Sequence, residues 1–276
     1  MQNNFPSAKD EEGVPATLPQ TVAPASVSAP ALPAAPSSTS TMSAEELAQF
    51  EQFKKIKILE QTRARIAKVE CDCLSPTASR AQLKTLCRDA ERLGLGGIVV
   101  LPSAVRPCVA YLGDDPSCSL IAPVSYPHGG DTTESKVAAT RRAVKDGVDE
   151  VEVYAPFAAI KEGNLVYFKR ECKKLKKAAR PRALRIVLDC NYLDEREIVR
   201  ACNCAADCGV NVIRIINAGG LSAITSAKSA VRDKCLIKAD GNNLAEMEEA
   251  EALGATLINC SAAVEVCSRL LNEVQS

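Results

Sequence analysis

From about Val69 to its end the chain alternates short apolar runs with longer amphipathic segments. The short runs are VECDC, GGIVVLP, SLIAPVSYP, DEVEVYAP, ALRIVLDC, NVIRII, CLIKAD and TLINCS. Their length and their richness in valine and isoleucine predict strands, each closed by turn residues. Between them lie SRAQLKTLCRDAERLG, a short segment after Pro102, TTESKVAATRRAVKDG, a long basic segment after Lys161, LDEREIVRACNCAADCG, LSAITSAKSAVRD, NLAEMEEAEALG and AAVEVCSRLLNEV. These predict helices, and Gly94, Gly147, Gly209 and Gly254 stand where helices would stop. Eight strand-then-helix units in succession predict a parallel α/β barrel of the TIM type, (β/α)8, over residues 69–276. Ahead of it, Ser43 and Glu46 form a capping-box pattern that opens an extra, strongly charged helix over residues 43–68. That helix is expected to pack on the outside of the barrel or to bind a partner. Residues 1–42, rich in Pro, Ala, Ser and Thr, are expected to be a disordered tail.

Three of the apolar runs contain a basic residue: Arg185 in ALRIVLDC, Arg214 in NVIRIINAGG and Lys238 in CLIKAD. Side chains alternate along a strand, so Arg214 shares a face with Val212 and Ile216. A guanidinium on a strand this apolar has to be paired or has to line a cavity, because burying it alone costs several kcal/mol or more. The same alternation turns Glu152, Asp189 and Asp240 inward. Acids and bases are nearly balanced, which leaves two readings open. One is a closed network of ion pairs; the other is a pocket for an anionic or carbonyl substrate at the carboxyl ends of the strands.

Composition narrows the choice. The 276 residues suffice for one barrel, and a net charge of zero with a pI near 6.6 argues against dedicated nucleic-acid binding. No run has the length of a transmembrane span and the polar start lacks the order of a secretory signal, so the expected location is the cytoplasm. Thirteen cysteines scattered through strands and helices read as small buried hydrophobes in a reducing compartment. Their spacings are not those of a zinc site, and His128 is the only histidine, so neither a metal nor a cofactor is expected.

The segment SYPHGGDTTESKVAATRRAVKDGVDEVEVYAPFAAIKEGN resembles the deoxyribose-phosphate aldolase family, and the likeness continues through ALRIVLDC, VNVIRII, LIKADGN and LINCSAA. It covers roughly residues 65 to 272. The resemblance implies a class I aldolase: a Schiff-base lysine in the sixth strand, a second lysine in the seventh that depresses the first one's pKa, and a proton-relaying aspartate in the fourth. Carried onto this chain, those positions are Arg214, Lys238 and Glu152, and the family's basic residue of the fifth strand is Arg185. Schiff-base formation needs an unprotonated primary amine, and the permanently charged, delocalised guanidinium of Arg214 is not one. Lys238 has the functional group, but it would attack from another strand, and misplacement by about 1 Å can cost ~100-fold in rate.

The phosphate cradle that the resemblance implies is altered too. After the sixth strand stand Ile215, Ile216, Asn217 and Ala218. The glycine pair after the seventh strand is Gly241 and Asn242, and Asn259 replaces a glycine ahead of the retained Ser261. Glycines there let backbone N–H groups approach the anion.

The most unusual feature outside these motifs is the run FKRECKKLKKAARPRALR. It carries Lys169, Arg170, Lys173, Lys174, Lys176, Lys177, Arg180 and Arg182 against a single acid, Glu171. It is either a solvated helix face or a landing site for an acidic partner surface. Filamentous actin is a candidate partner by analogy with the fructose-bisphosphate class I aldolases. Three functions stand open: an inert aldolase homologue acting through protein contacts; a lyase that uses Lys238 to cleave 2-deoxyribose 5-phosphate to glyceraldehyde 3-phosphate and acetaldehyde; and a sensor holding an anionic metabolite on Arg185, Arg214 and Lys238. The sequence leaves the oligomeric state undetermined.

Overall fold

The computed structural model describes residues 43–217 and 222–275. The expected disordered tail, and Ala218 of the altered cradle, lie outside the described residues. The chain divides into two units, residues 1–46 and 47–276, and of the first only residues 43–46 are described. At the end of the first, the Glu46 carboxylate accepts from the Ser43 backbone N–H at 2.8 Å and the Ser43 hydroxyl accepts from that of Glu46 at 3.2 Å. This is the capping box read from the sequence, and it opens α1 (Ala44–Ile66).

The barrel follows in strict alternation: β1 (Val69–Cys73), α2 (Arg80–Leu93), β2 (Gly97–Val100), α3 (Val105–Leu112), β3 (Ser119–Val124), α4 (Thr133–Asp146) and β4 (Glu150–Tyr154). A short α5 (Phe157–Lys161) then precedes α6 (Leu165–Ala179). The remaining elements are β5 (Ala183–Asp189), α7 (Glu195–Asp207), β6 (Val212–Ile216), α8 (Ser222–Val231), β7 (Leu236–Asp240), α9 (Leu244–Ala252), β8 (Leu257–Asn259) and α10 (Ala263–Gln275). Every strand is parallel to the next, and β8 closes onto β1 through Val69 opposite Ile258. Only α5 escapes the sequence pattern, since five residues are too few to display a helical period.

Alternation divides the strands into two faces. Ile98, Leu120, Val151, Val153, Leu184, Ile186, Ile213, Ile215, Ile237 and Ile258 are buried against the surrounding helices and form the main core. The other parity points into the barrel. Helix entries are locked by side chains: Ser79 and Gln82 box α2, Asp194 and Glu197 box α7, and Thr132 and Asn243 cap α4 and α9.

The helix α1 makes little of the packing that was one of its two expected roles, and its role as a partner-binding element is left open. Among residues 47–66 only Ile66 is buried, while Phe53, Ile56 and Ile58 are exposed. Arg65 ties its last turn to Glu248 and Glu251 of α9. Its apolar residues recur too irregularly to make one face, so most of its length stands clear of the barrel.

Candidate active site

The interior of the barrel holds a ladder of alternating charges. Arg214 of β6 donates to Glu152 of β4 at 2.7 Å and to Asp240 of β7 at 2.8 Å, with Asp72 of β1 at 3.7 Å. Lys238 of β7 bridges Glu152 at 3.2 Å and Glu70 of β1 at 2.6 Å. Glu70 in turn binds Arg185 of β5 at 2.8 Å, and Arg185 reaches Glu150 of β4 at 2.6 Å. Three cations thus meet five carboxylates, and both ends of the ladder are acidic. Arg185, Lys238, Glu70 and Glu152 are each at most 2% exposed, and Arg214 is 4% exposed.

The ladder runs from the carboxyl ends of the strands to their amino ends, and that separates residues the sequence reading grouped together. Arg185 lies at the amino end, where with Glu70 and Glu150 it lines a cavity of about 560 Å³ that includes Gly96, Ser119 and Asn211. It is not a wall of the mouth. Arg214 lies nearer the carboxyl ends than Arg185, at the middle of β6, and the acid that clamps it beside Glu152 is Asp240. Asp189 instead accepts from the Asn191 backbone N–H at 2.8 Å and from the Asn217 amide at 2.9 Å. Near-balance of charge is also corrected: Glu70, Asp72 and Glu150, absent from the sequence reading, tip the interior toward acid. In VECDC the two acids alternate with valine and cysteine, and that period-two pattern was the available signal.

Burial and pairing compete at each carboxylate. Burial pushes the Glu152 carboxyl up, but Lys238, Arg214 and Arg185 outweigh it and hold it at about 2. Glu70 is likewise held below the usual range against its burial, by Lys238 and Arg185. Asp240 goes the other way, because burial raises it more than Arg214 lowers it.

Of the expected phosphate-cradle residues, Asn242, Asn259 and Ser261 are engaged by carboxylates and Gly241 by a backbone carbonyl. Ser261 donates through its hydroxyl to Asp72 at 2.7 Å, and the Asn259 amide donates to the other oxygen of Asp72 at 2.8 Å. The Asn242 backbone N–H donates to Glu246 at 2.8 Å, and that of Gly241 to the Asn259 carbonyl at 2.9 Å. A Cβ at Gly241 would come within 3.0 Å of the Met247 nitrogen, so this glycine serves the packing of α9. At the other rim of the mouth, Gly129 has φ +65° and a Cβ there would overlap the Ala155 carbonyl oxygen, which presses the His128 loop onto the end of β4.

The basic run occupies α6 and the turn into β5. Lys169, Arg170, Lys173, Lys174, Lys177, Arg180 and Arg182 are exposed and Lys176 is half-buried. Lys174 pairs with Glu134, Arg182 with Asp149, and Lys176 donates to the Asn211 side chain. Lys169, Arg170, Lys173, Lys177 and Arg180 make no side-chain hydrogen bond or ion pair with the described residues. Glu171 does not offset them. It is buried and accepts from Lys136 of α4 at 3.0 Å and from the Thr133 hydroxyl at 2.8 Å. This second buried ion pair, also missed in the sequence, links two neighbouring helices, and Lys136 donates further to the Tyr154 carbonyl at 3.0 Å.

No protein-family model matches the chain. A deoxyribose-phosphate aldolase of Caldicellulosiruptor saccharolyticus is 28% identical over 221 residues, spanning 75% of this chain and 99% of that protein. Deoxyribose-phosphate aldolase 1 of Cutibacterium acnes is 29% identical over 210 residues, spanning 72% and 94%. Over most of its length the chain is thus similar to deoxyribose-phosphate aldolases. Among solved structures, the aldolase QR15 superposes with a TM-score of 0.70 at 20% identity, over 75% of this chain and 96% of that one. The deoxyribose phosphate aldolase of Aeropyrum pernix, described as tetrameric, superposes with 0.66 at 18% identity, over 82% and 97%. At such identities the two structures speak for the (β/α)8 barrel as a fold, and the residues at its mouth have to be judged by their own chemistry. Within an aldolase-like barrel, the arginine at mid-β6 and the lysine beside it on β7 are neighbours in register, Arg214 opposite Lys238.

Proposed function

We propose that the protein is a deoxyribose-phosphate aldolase homologue that does not turn over 2-deoxyribose 5-phosphate and acts through protein contacts. The observation that carries this reading is the state of Arg214. A guanidinium stands at the position to which the family likeness assigns the Schiff-base lysine, and Glu152 and Asp240 grip it at 2.7 and 2.8 Å. Such a group supplies no nucleophilic lone pair, and its hydrogen-bonding edge is already engaged by two carboxylates.

Lys238 as a substitute nucleophile is opposed by its surroundings. Its nitrogen has no solvent exposure and binds two carboxylates, so a substrate would have to displace both while entering a closed ladder. The phosphate end fares no better, since Ser261 and the Asn242 N–H are directed to carboxylates. A sensor that holds a metabolite anion on Arg185, Arg214 and Lys238 is opposed by the same ladder, because Arg185 lies at the far end and every one of the three cations is already bound.

The contact surface of this reading is the exposed face of α6. Four basic side chains on α6 and Arg180 just after it, none with an ion-pair partner among the described residues, form an electrostatic landing site for an acidic protein, with actin as the candidate from analogy. The test has two parts. Purified protein should release no acetaldehyde from 2-deoxyribose 5-phosphate above a contaminant control, and it should co-sediment with filamentous actin in a salt-sensitive way. Loss of co-sedimentation in Lys169→Glu, Lys173→Glu, Lys177→Glu supports the surface; aldehyde release overturns the inert reading.

A further inference from the structure

The mouth of the barrel has the charge sign opposite to that required by a sugar phosphate. Around it stand Asp72, Glu152, Asp189 and Asp240, against Arg214 and a share of Lys238, whose nitrogen lies between Glu152 and Glu70. The cations lie deep, while the carboxylates nearest the opening keep solvent access: the side chain of Asp72 is 17% exposed and that of Asp240 is 32% exposed. Two of the carboxylates are only half used. Asp240 engages Arg214 through Oδ1 alone, and Asp189 spends Oδ1 on Asn191 and Asn217 and has no ion-pair partner among the described residues.

An independent observation points the same way. Asn259 is 3% exposed, and its Oδ1 has no hydrogen-bond donor among the described residues. Its position is central: β8 runs between β7 and β1, Asn259 is opposite Asp240 in register, and its amide nitrogen donates to Asp72. A buried acceptor left unpaired is costly, and what it lacks is an N–H or O–H group. The sequence reading regarded this asparagine only as an obstruction where a glycine let a phosphate approach.

We propose that the mouth binds a small organic cation bearing N–H donors, an alkylamine, between Asp72, Asp240 and Asn259. The amine nitrogen donates to Asn259 Oδ1 and to the free oxygen of Asp240, with Asp72 and Asp189 supplying the field. A metal ion is a poorer match, because no group of three His, Cys, Asp or Glu side chains among the described residues is placed to hold one. The assignment goes beyond inertness toward sugar phosphate and replaces an anionic ligand class with a cationic one.

Putrescine is the probe, titrated into the full chain by calorimetry and in thermal melts, with sodium chloride at matched ionic strength as the reference. Saturable binding at one site with a rise in Tm is expected. Asp240→Asn and Asn259→Leu should each weaken it by about tenfold or more, the effect of losing a hydrogen bond to a charged group. Asn259→Leu removes a buried polar group rather than a charge, so it keeps the test valid should Asp240→Asn not fold. Absence of saturable binding, or affinity unchanged from that of the unsubstituted chain in both variants, overturns the proposal, as does saturable binding of 2-deoxyribose 5-phosphate that putrescine fails to displace. Acetaldehyde release would strike the inert reading instead, so the two failures are distinguishable.

Discussion

The barrel axis and the outer face of α6 are built from the same side chains and treat them in opposite ways. Along the axis, Arg185, Lys238 and Arg214 are each held by two or more carboxylates and shut away from water. On α6 and the turn after it, five lysines and arginines stand in solvent with no hydrogen-bond or ion-pair partner among the described residues, and the helix's acid, Glu171, is turned inward to Lys136. Position, not residue type, thus decides what a cation does here. A buried cation that has its carboxylates is committed to structure, and an exposed one is available for encounter. In this barrel the buried cations are committed to ion pairs, and the unengaged charge lies on the surface and at the acidic rim of the mouth.

The contrast can be broken most sharply inside. Glu152→Ala leaves Arg214 and Lys238 short of a shared partner and should destabilise by about 3–5 kcal/mol in urea unfolding, the cost of an uncompensated buried charge. A loss under about 1 kcal/mol would mean that water reaches the ladder. Lys136→Met should cost a similar amount by stranding Glu171, and the pair replacement Lys136→Met with Glu171→Leu should recover most of it.

Acid should act on the same groups. Glu152 is lowered from 4.5 to about 2, and Glu70 is lowered as well, so their contribution is present above pH 4.5 and is lost as pH falls toward 2. Asp240 has a raised value, so its contribution has the opposite sign and is lost as pH rises through its folded value. With two lowered carboxylates against one raised, thermal melts should show a net fall in Tm over that acid range, and a flat profile would contradict the ladder. Outside, the expected effect is the smallest. Reversing Lys169, Lys173 and Lys177 should shift stability by no more than about 0.5 kcal/mol, as for surface positions away from special features, while removing salt-sensitive capture by an acidic protein.

The strand and helix pattern was legible because each buried strand is a short apolar run between turn residues, and all eight appear where the hydropathy puts them. The three basic residues inside those runs were legible for the same reason. Their partners were less so. Glu152 and Asp240 share strands with conspicuous apolar neighbours, whereas Glu70 and Asp72 sit in VECDC, whose alternation reads equally as a half-exposed strand. Which end of the barrel a side chain occupies depends on strand stagger, and the sequence carries no direct record of it, so Arg185 was grouped with Arg214. The inward turn of Glu171 was readable in principle. It falls three residues after Phe168 and four before Leu175, on the buried stripe of α6, yet its basic neighbours drew it into a surface reading.

The central claim is that no amine at the mouth is free to form a covalent bond with substrate. Incubation of the full chain with 2-deoxyribose 5-phosphate and borohydride, followed by intact-mass and peptide analysis, tests it most directly. The account predicts unmodified protein. A reduced adduct on Lys238 would contradict it.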